Sequence, residues 1–370
     1  MKKKIFIITG EASGDKIASE IVSYFDKKKY SILAVGSEKL KSKNIKLLFN
    51  SSSIAFMGIK DVLINFFNII KKINYTINSI AIFKPNVILS IDAPDFSFRV
   101  EKKIKKKFPN IKIVHLVAPT IWAWREGRAK LFRKFIDHML LLFPFEVPIF
   151  KKWNIKNTFV GHPFLENKIN YKKFSLPTNK KLITLCPGSR ISEIKIFMPI
   201  FVKLINTINI KFNNNYIFHF PVPKNRVQLI KSYLPNKFDF FLSDDENKKN
   251  FYIKNSILSV AKSGTISLDI CKNKCPLITI YKTSMINYFL IKPLVRVKYG
   301  NIINIAANKE IIPELIQNDC TVEKIFSLVC NFIKNNKIRR KNVENYSKIL
   351  NTFKKANSNK IISDIVKGYC

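Results

Sequence analysis

Four short segments carry the residues best suited to chemistry, and each follows an apolar run. In VILSIDAPDFSFR, Asp92 and Asp95 flank an Ala-Pro pair. A carboxylate at the end of a buried strand can take the proton from an attacking hydroxyl. Pro94 removes one backbone N–H and stiffens the turn, and Asp95 suits the N-cap of a helix over 96–107, leaving Asp92 free to face a cleft. The same spacing also fits a pair of capping acids. In TGEASGDKIASE, Glu11, Ser13 and Asp15 stand in a loop that opens a helix. Its glycines at 10 and 14 do not form the dinucleotide fingerprint, and its acids would repel a pyrophosphate, so the loop suits sugar hydroxyls better than phosphate. Ser13 and Asp15 fit plain helix capping equally well.

The other two segments look like anion sites. LCPGSRISEI ends a strand with Gly188, Ser189 and Arg190 ahead of a helix; Gly188 allows close backbone approach, the helix start offers N–H groups, and Arg190 adds a bidentate cation. A purely structural Arg190 is the rival reading. SVAKSGTISLDIC repeats the arrangement with Ser263, Gly264 and Thr265, and Asp269 one turn on is placed to reach ribose hydroxyls. There is no G-K-[ST] lysine and no D-x-D pair, which favours a diphosphate held as leaving group without a metal ion, neutralised by Arg190 and backbone dipoles, over ATP hydrolysis. No cofactor is implied.

The elements that must position these loops are short apolar strands: KIFIIT, SILAV, NVILSI, IKIVHLV and HMLLLF, then KLITLC, YIFHFP, SILSVA and PLITIY, alternating with amphipathic stretches. Continuous apolar runs between helical patterns predict parallel strands covered on both faces. The fold class is therefore α/β, with two doubly wound sheets: residues 1–167, a polar linker over 168–180, residues 181–335, and a helical tail over 336–370. In such sheets ligands bind in the loops at strand C-termini, here at a cleft the two sheets would share.

Composition sets limits. Lys and Arg total 65 against 25 Asp and Glu, a net charge of +40. That suggests a polyanionic partner, but the lysines are scattered along the chain and only nine of the cations are Arg, so no nucleic-acid module stands out. An anionic lipid surface remains a partner. The start MKKKIFIITGEASGD has too short an apolar run for a secretion signal, and no charge-free run is long enough to span a bilayer. The six cysteines read as reduced, cytosolic thiols, with Cys271 and Cys275 a helical turn apart and no histidine nearby. The four histidines, His162 included, are assigned no chemistry. FMGIKDVLINFFNIIKKI places Val62, Leu63, Phe66, Phe67 and Ile70 beside lysines, which fits either an interfacial helix or a buried face.

Taken in order, GEASGD, IDAPDF, HLVAPTIWAWREGR, LLFPFE, FVGHP, PGSR, SGT and NIAANKEIIPELIQ resemble the lipid-A-disaccharide synthase family across residues 5–330. The resemblance implies a GT-B fold of two Rossmann-like domains facing a central cleft, the first binding acceptor and the second UDP-sugar. It also implies an inverting, metal-independent transfer from UDP-2,3-diacylglucosamine to 2,3-diacylglucosamine 1-phosphate (lipid X), at the cytoplasmic face of the inner membrane. By the family pattern Asp92 is the general base, Arg190 grips the UDP phosphates, and Asn304 lies in the nucleotide pocket. Two departures stand out: Asp269 replaces a glutamate expected at the ribose, and NIAANKE carries Asn308 for Gly and Lys309 for Arg. Asn tolerates left-handed backbone; Lys309 loses bidentate geometry. Arg125 and Arg128, in IWAWREGR, are candidates for the acceptor's phosphate, against plain packing of an aromatic turn. The rivals are another UDP-sugar GT-B enzyme of cell-wall glycolipid synthesis, a UDP-sugar epimerase, or a basic RNA- or membrane-binding protein.

Overall fold

In a computed structural model of the chain, which describes residues 2–10, 12–54, 66–123, 126–166, 169, 174–176, 179–284, 288, 292–295 and 297–370, the apolar runs form two parallel sheets. The chain divides into two units: Met1–Asn167 with Phe353–Cys370, and Lys168–Thr352. Most of the expected linker lies outside the described residues.

The sheet of unit 1 comprises β1 (Lys3–Thr9), β2 (Tyr30–Gly36), β3 (Lys46–Asn50), β4 (Val87–Ile91), β5 (Lys112–Leu116), β6 (His138–Leu141) and β7 (Asn157–Phe159), in the order β3-β2-β1-β4-β5-β6-β7. Central strands read as unbroken apolar runs because both faces are covered. In β1, Ile5 and Ile7 join one buried cluster with Leu89 and Ile91, while Phe6 and Ile8 join another with Ile88 and Val100. Strand order reverses between β1 and β4, which pair from Ile5↔Val87 to Thr9↔Ile91. The loops after these two strands therefore meet at the sheet's switch point.

Unit 2 repeats the design with β8 (Lys181–Cys186), β9 (Tyr216–Pro221), β10 (Phe240–Ser243), β11 (Ser256–Lys262), β12 (Leu277–Tyr281) and β13 (Glu314–Ile316), ordered β10-β9-β8-β11-β12-β13. Its switch point falls between β8 and β11, where Ala261 pairs with Cys186.

The helical tail is divided between the units. The helix Asn336–Thr352 stays with unit 2, where Asn342 Oδ1 accepts from Leu277 N at 2.9 Å and the Tyr346 hydroxyl donates to Cys275 O at 2.9 Å. The helix Ser358–Gly368 belongs to unit 1, burying Ile362 and Val366 in its core. The FVGHP motif receives this return: His162 N donates to Phe353 O at 2.8 Å, and Gly161 has φ +81° with the Lys355 backbone packed against it. No helix among the described residues is long and apolar enough to cross a membrane.

Candidate active site

Asp92 and Ala93 follow β4 with φ of +58° and +54°, consecutive left-handed positions that L-residues adopt only when their surroundings hold them there. Asp92 N donates to Leu116 O at 3.0 Å, and Ser97 Oγ donates to Asp92 O at 3.1 Å. Ala93, not Asp95, occupies the N-cap, with Pro94 at the start of the helix Pro94–Lys107. This corrects the expected helix start; the side chain of Asp95 lies outside the described residues. The loop after β1 explains its glycines here. A Cβ on Gly10 would lie 2.1 Å from Ala93 Cβ, and one on Gly14 would lie 3.1 Å from Ile91 O. Both glycines let this segment press against the Asp92 turn.

Burial raises the pKa of Asp92 above the usual carboxylate range; the Ala93 N–H, 2.8 Å from Oδ1, and the charge of His115 partly oppose this. Beneath it, His115 Nδ1 lies 2.9 Å from Glu101 Oε1 and 2.8 Å from Ser90 Oγ, all fully buried. The histidine that the sequence left without chemistry is thus part of the support of this turn.

The other unit 1 candidates separate. Ser13 is exposed at the start of the helix Ala12–Ile21. Asp15 is buried, and its carboxylate accepts from Thr9 Oγ1 (2.5 Å), Ser37 N (3.0 Å) and Ser51 Oγ (2.7 Å), tying together the ends of three strands. Its carboxylate is thus engaged by three donors of the fold, as the helix-capping alternative for this loop would allow. Glu11 and Arg125 lie outside the described residues. Arg128 stacks over Phe132 at 6.0 Å and lines a groove of ≈ 460 Å³ with Phe98, Arg99, Lys102 and Lys106. Val62 and Leu63 are not described, nor is the side chain of Phe66; on the helix Phe66–Phe83, Phe67 is 76% exposed and Ile70 is half-buried.

The aromatic turn packs inward. Trp122 Nε1 donates to Glu146 Oε1 at 3.2 Å, so the IWAW and FPFE motifs meet, and burial pushes the Glu146 carboxyl up to about 8. With a folded pKa above the ordinary 4.5, the folded state holds the extra proton between these values, and stability from this group falls as pH rises through that window. Glu146→Gln should therefore gain on the parent in unfolding free energy as pH rises from about 5 to 8; a difference that does not change with pH in denaturant titrations would refute this.

In unit 2 the two turns flank the switch point. Gly188 has φ +100°, and a Cβ there would strike Glu193 Oε2 at 2.3 Å. That oxygen accepts from Ser189 N at 3.2 Å and Arg190 N at 3.3 Å, the carboxylate half of a capping box at the start of the helix Ile191–Lys211. The turn's N–H groups are thus held by an internal carboxylate, which the sequence reading did not foresee. The Arg190 side chain is half exposed, with its NH1 3.5 Å from Glu193 Oε1. Lys262 Nζ, from the end of β11, lies 3.0 Å from that same oxygen.

Ser263 Oγ donates to Gly300 O at 2.9 Å, leaving Gly264 and Thr265 as the exposed part of the second turn. Asp269 is engaged by Lys249 Nζ at 2.9 Å. Asn304 is fully buried: its Oδ1 accepts from Ile311 N and Ile312 N at 2.9 Å, and its Nδ2 donates to Ile312 O at 2.8 Å. Its amide thus fixes the loop that follows the helix Ile302–Ala307. Asn308 adopts the left-handed conformation expected of it, φ +48°, as C-cap of the helix Ile302–Ala307. Glu193, Lys262 and Glu101 escaped the sequence reading; the capping-box spacing from Arg190 was available for Glu193, while Lys262 is one cation among 65.

Two Rossmann-like units, each with a polar turn pair at its switch point, define an α/β protein of the GT-B fold. Among solved structures, the chain is similar to a glycotransferase of kitacinnamycin (TM-score 0.66, 9% identity, covering 100% of this chain and 99% of that one). It is also similar to a UDP-GlcNAc 2-epimerase from Neisseria meningitidis bound to UDP-GlcNAc (TM-score 0.65, 12% identity, covering 99% and 100%). At such identities these likenesses speak for the fold.

The chain belongs to the lipid-A-disaccharide synthetase family, whose model matches residues 5–366. A lipid-A-disaccharide synthase of Rickettsia typhi is 34% identical over 357 residues, covering 94% of this chain and 93% of the relative. One of Rickettsia felis is 33% identical over 357 residues, covering 94% and 90%.

Proposed function

We propose that the chain transfers a diacylglucosamine unit from UDP-2,3-diacylglucosamine to 2,3-diacylglucosamine 1-phosphate, with inversion and without a metal ion. The observation that carries this reading is Asp92: a carboxylate held at the switch point of unit 1, with its proton affinity raised by burial. Asp92 takes the proton of the acceptor hydroxyl as its oxygen bonds to the sugar's anomeric carbon and the bond from that carbon to UDP breaks. One displacement needs one base and inverts the centre. In unit 2, Arg190 and the exposed Gly264–Thr265 turn meet the diphosphate. The carboxylates nearest these turns, Glu193 and Asp269, are each paired with a lysine, so the charge on the leaving group is assigned to cationic side chains.

Acylated substrates lie in a lipid surface, and unit 1 offers a face for one. The helix Phe66–Phe83 exposes Phe67, Tyr75 and Ile82 along one side together with Lys71. Lys103 of the cation-rich helix Pro94–Lys107 donates to its Asn74. Apolar side chains beside lysines suit peripheral docking on anionic lipid at the cytoplasmic face of the inner membrane. The test is UDP release with both sugars presented in vesicles with and without anionic phospholipid. The acylated pair should release UDP and the protein should sediment with the anionic vesicles; equal turnover of unacylated UDP-GlcNAc would overturn the substrate assignment.

A further inference from the structure

The carboxylate of Glu193 is surrounded as a phosphate group would be. One of its oxygens accepts from the two N–H groups of the Gly188–Arg190 turn, and the other is faced by Arg190 at 3.5 Å and by Lys262 at 3.0 Å. Two backbone donors and two cations around a pair of oxygens are what a phosphate group demands. Lys262 is the better placed of the cations. It ends β11 one residue beyond the Ala261↔Cys186 pairing, between the two turns of the switch point. Its side chain is 18% exposed, against 52% for Arg190, and its ammonium lies over the Tyr281 ring at 5.7 Å. The ammonium also lies beside the second turn, where a Cβ on Gly264 would stand 3.5 Å from Nζ, an ordinary contact distance.

We propose that Lys262 is a second diphosphate-binding cation, paired with Glu193 while the turn is empty and transferred to the phosphate when the nucleotide enters. This rests on the reading of unit 2 as the UDP site. The exchange replaces one ion pair by another, so the lysine is never left buried without a counter-charge, which would be costly. Arg190 alone cannot balance a diphosphate, and Lys262 supplies the missing charge from within the fold.

The experiment is calorimetric titration of the full chain with UDP and with uridine, in the parent and in Lys262→Met, Lys262→Arg, Glu193→Gln and Arg190→Ala. Lys262→Met should weaken UDP binding about 10-fold or more while leaving uridine binding unchanged. Lys262→Arg should retain UDP binding, and Glu193→Gln should tighten it, since the competing anion is gone. Unchanged UDP binding in Lys262→Met, or an equal loss for uridine and UDP, overturns the proposal, because a structural brace would act on both ligands alike. Weaker UDP binding in Glu193→Gln overturns the exchange. A parent that binds no UDP overturns the reading beneath the proposal and the proposal with it; a parent that binds UDP, weakened by Arg190→Ala but not by Lys262→Met, overturns the proposal alone.

Discussion

Asp92→Asn is expected to lower kcat by about 10²–10⁴-fold, the range for removal of a general base, while UDP affinity stays at the parental value and the unfolding midpoint does not fall, since loss of a carboxyl whose pKa burial raises favours the folded state as pH rises. The substitution is chosen to separate chemistry from structure. Asn accepts left-handed backbone as readily as Asp, which suits φ +58°, and its Oδ1 can keep the bond from Ala93 N. Only the capacity to take a proton is lost. Because burial raises the Asp92 pKa, its basic form appears at higher pH than for a free aspartate. The parent's kcat should therefore climb with pH along a limb that is missing in the variant. A variant with kcat within about threefold of the parent would remove Asp92 as the base.

Gly161→Ala is expected to cost roughly 2–4 kcal/mol of unit 1 stability, from left-handed strain on a residue with a Cβ together with overpacking. Gly161 has φ +81°, and the new methyl would stand 2.7 Å from Lys355 N and 2.6 Å from Ser358 Oγ. To relieve this, the returning segment must move away. That movement strains the His162 N to Phe353 O bond and the contact of Glu166 with Ser358 N at 3.0 Å. All three tryptophans, at 122, 124 and 153, belong to unit 1, so their fluorescence follows its unfolding. Gly127→Ala is the control, since a Cβ there would meet no described atom within 4 Å. Should the two variants melt together, the return segment is not what fixes Gly161.

The strands that could be read directly from the sequence are the ones buried on both faces. KIFIIT, NVILSI, KLITLC and SILSVA became β1, β4, β8 and β11, the central strands at the two switch points. The four strands without a clear signal, β3, β7, β10 and β13, are the four sheet edges. An edge strand is partly solvated and short, so its residues carry no continuous apolar run; KLLFN and NTF have no fully buried position. The Asp92 turn, the Gly188–Arg190 turn and the Ser263–Thr265 turn could be located in advance because they come directly after strong strands.

What each polar side chain does once there was not written in its type. Asp15 looked as available as Asp92, yet the fold closes three donors around it. Asn304 spends both ends of its amide on its own loop. Glu193 fills a turn that the sequence showed as open, and Lys262 reaches it from a strand nearly seventy residues away. The sequence by itself determined the two-sheet α/β plan, the loops that matter and the family, because hydrophobic periodicity and local turn chemistry act over a few residues. Which carboxylates stay free, which cations pair, and that the last helix closes unit 1 were decided only in three dimensions, because hydrogen-bond satisfaction and charge pairing depend on neighbours that only folding brings together.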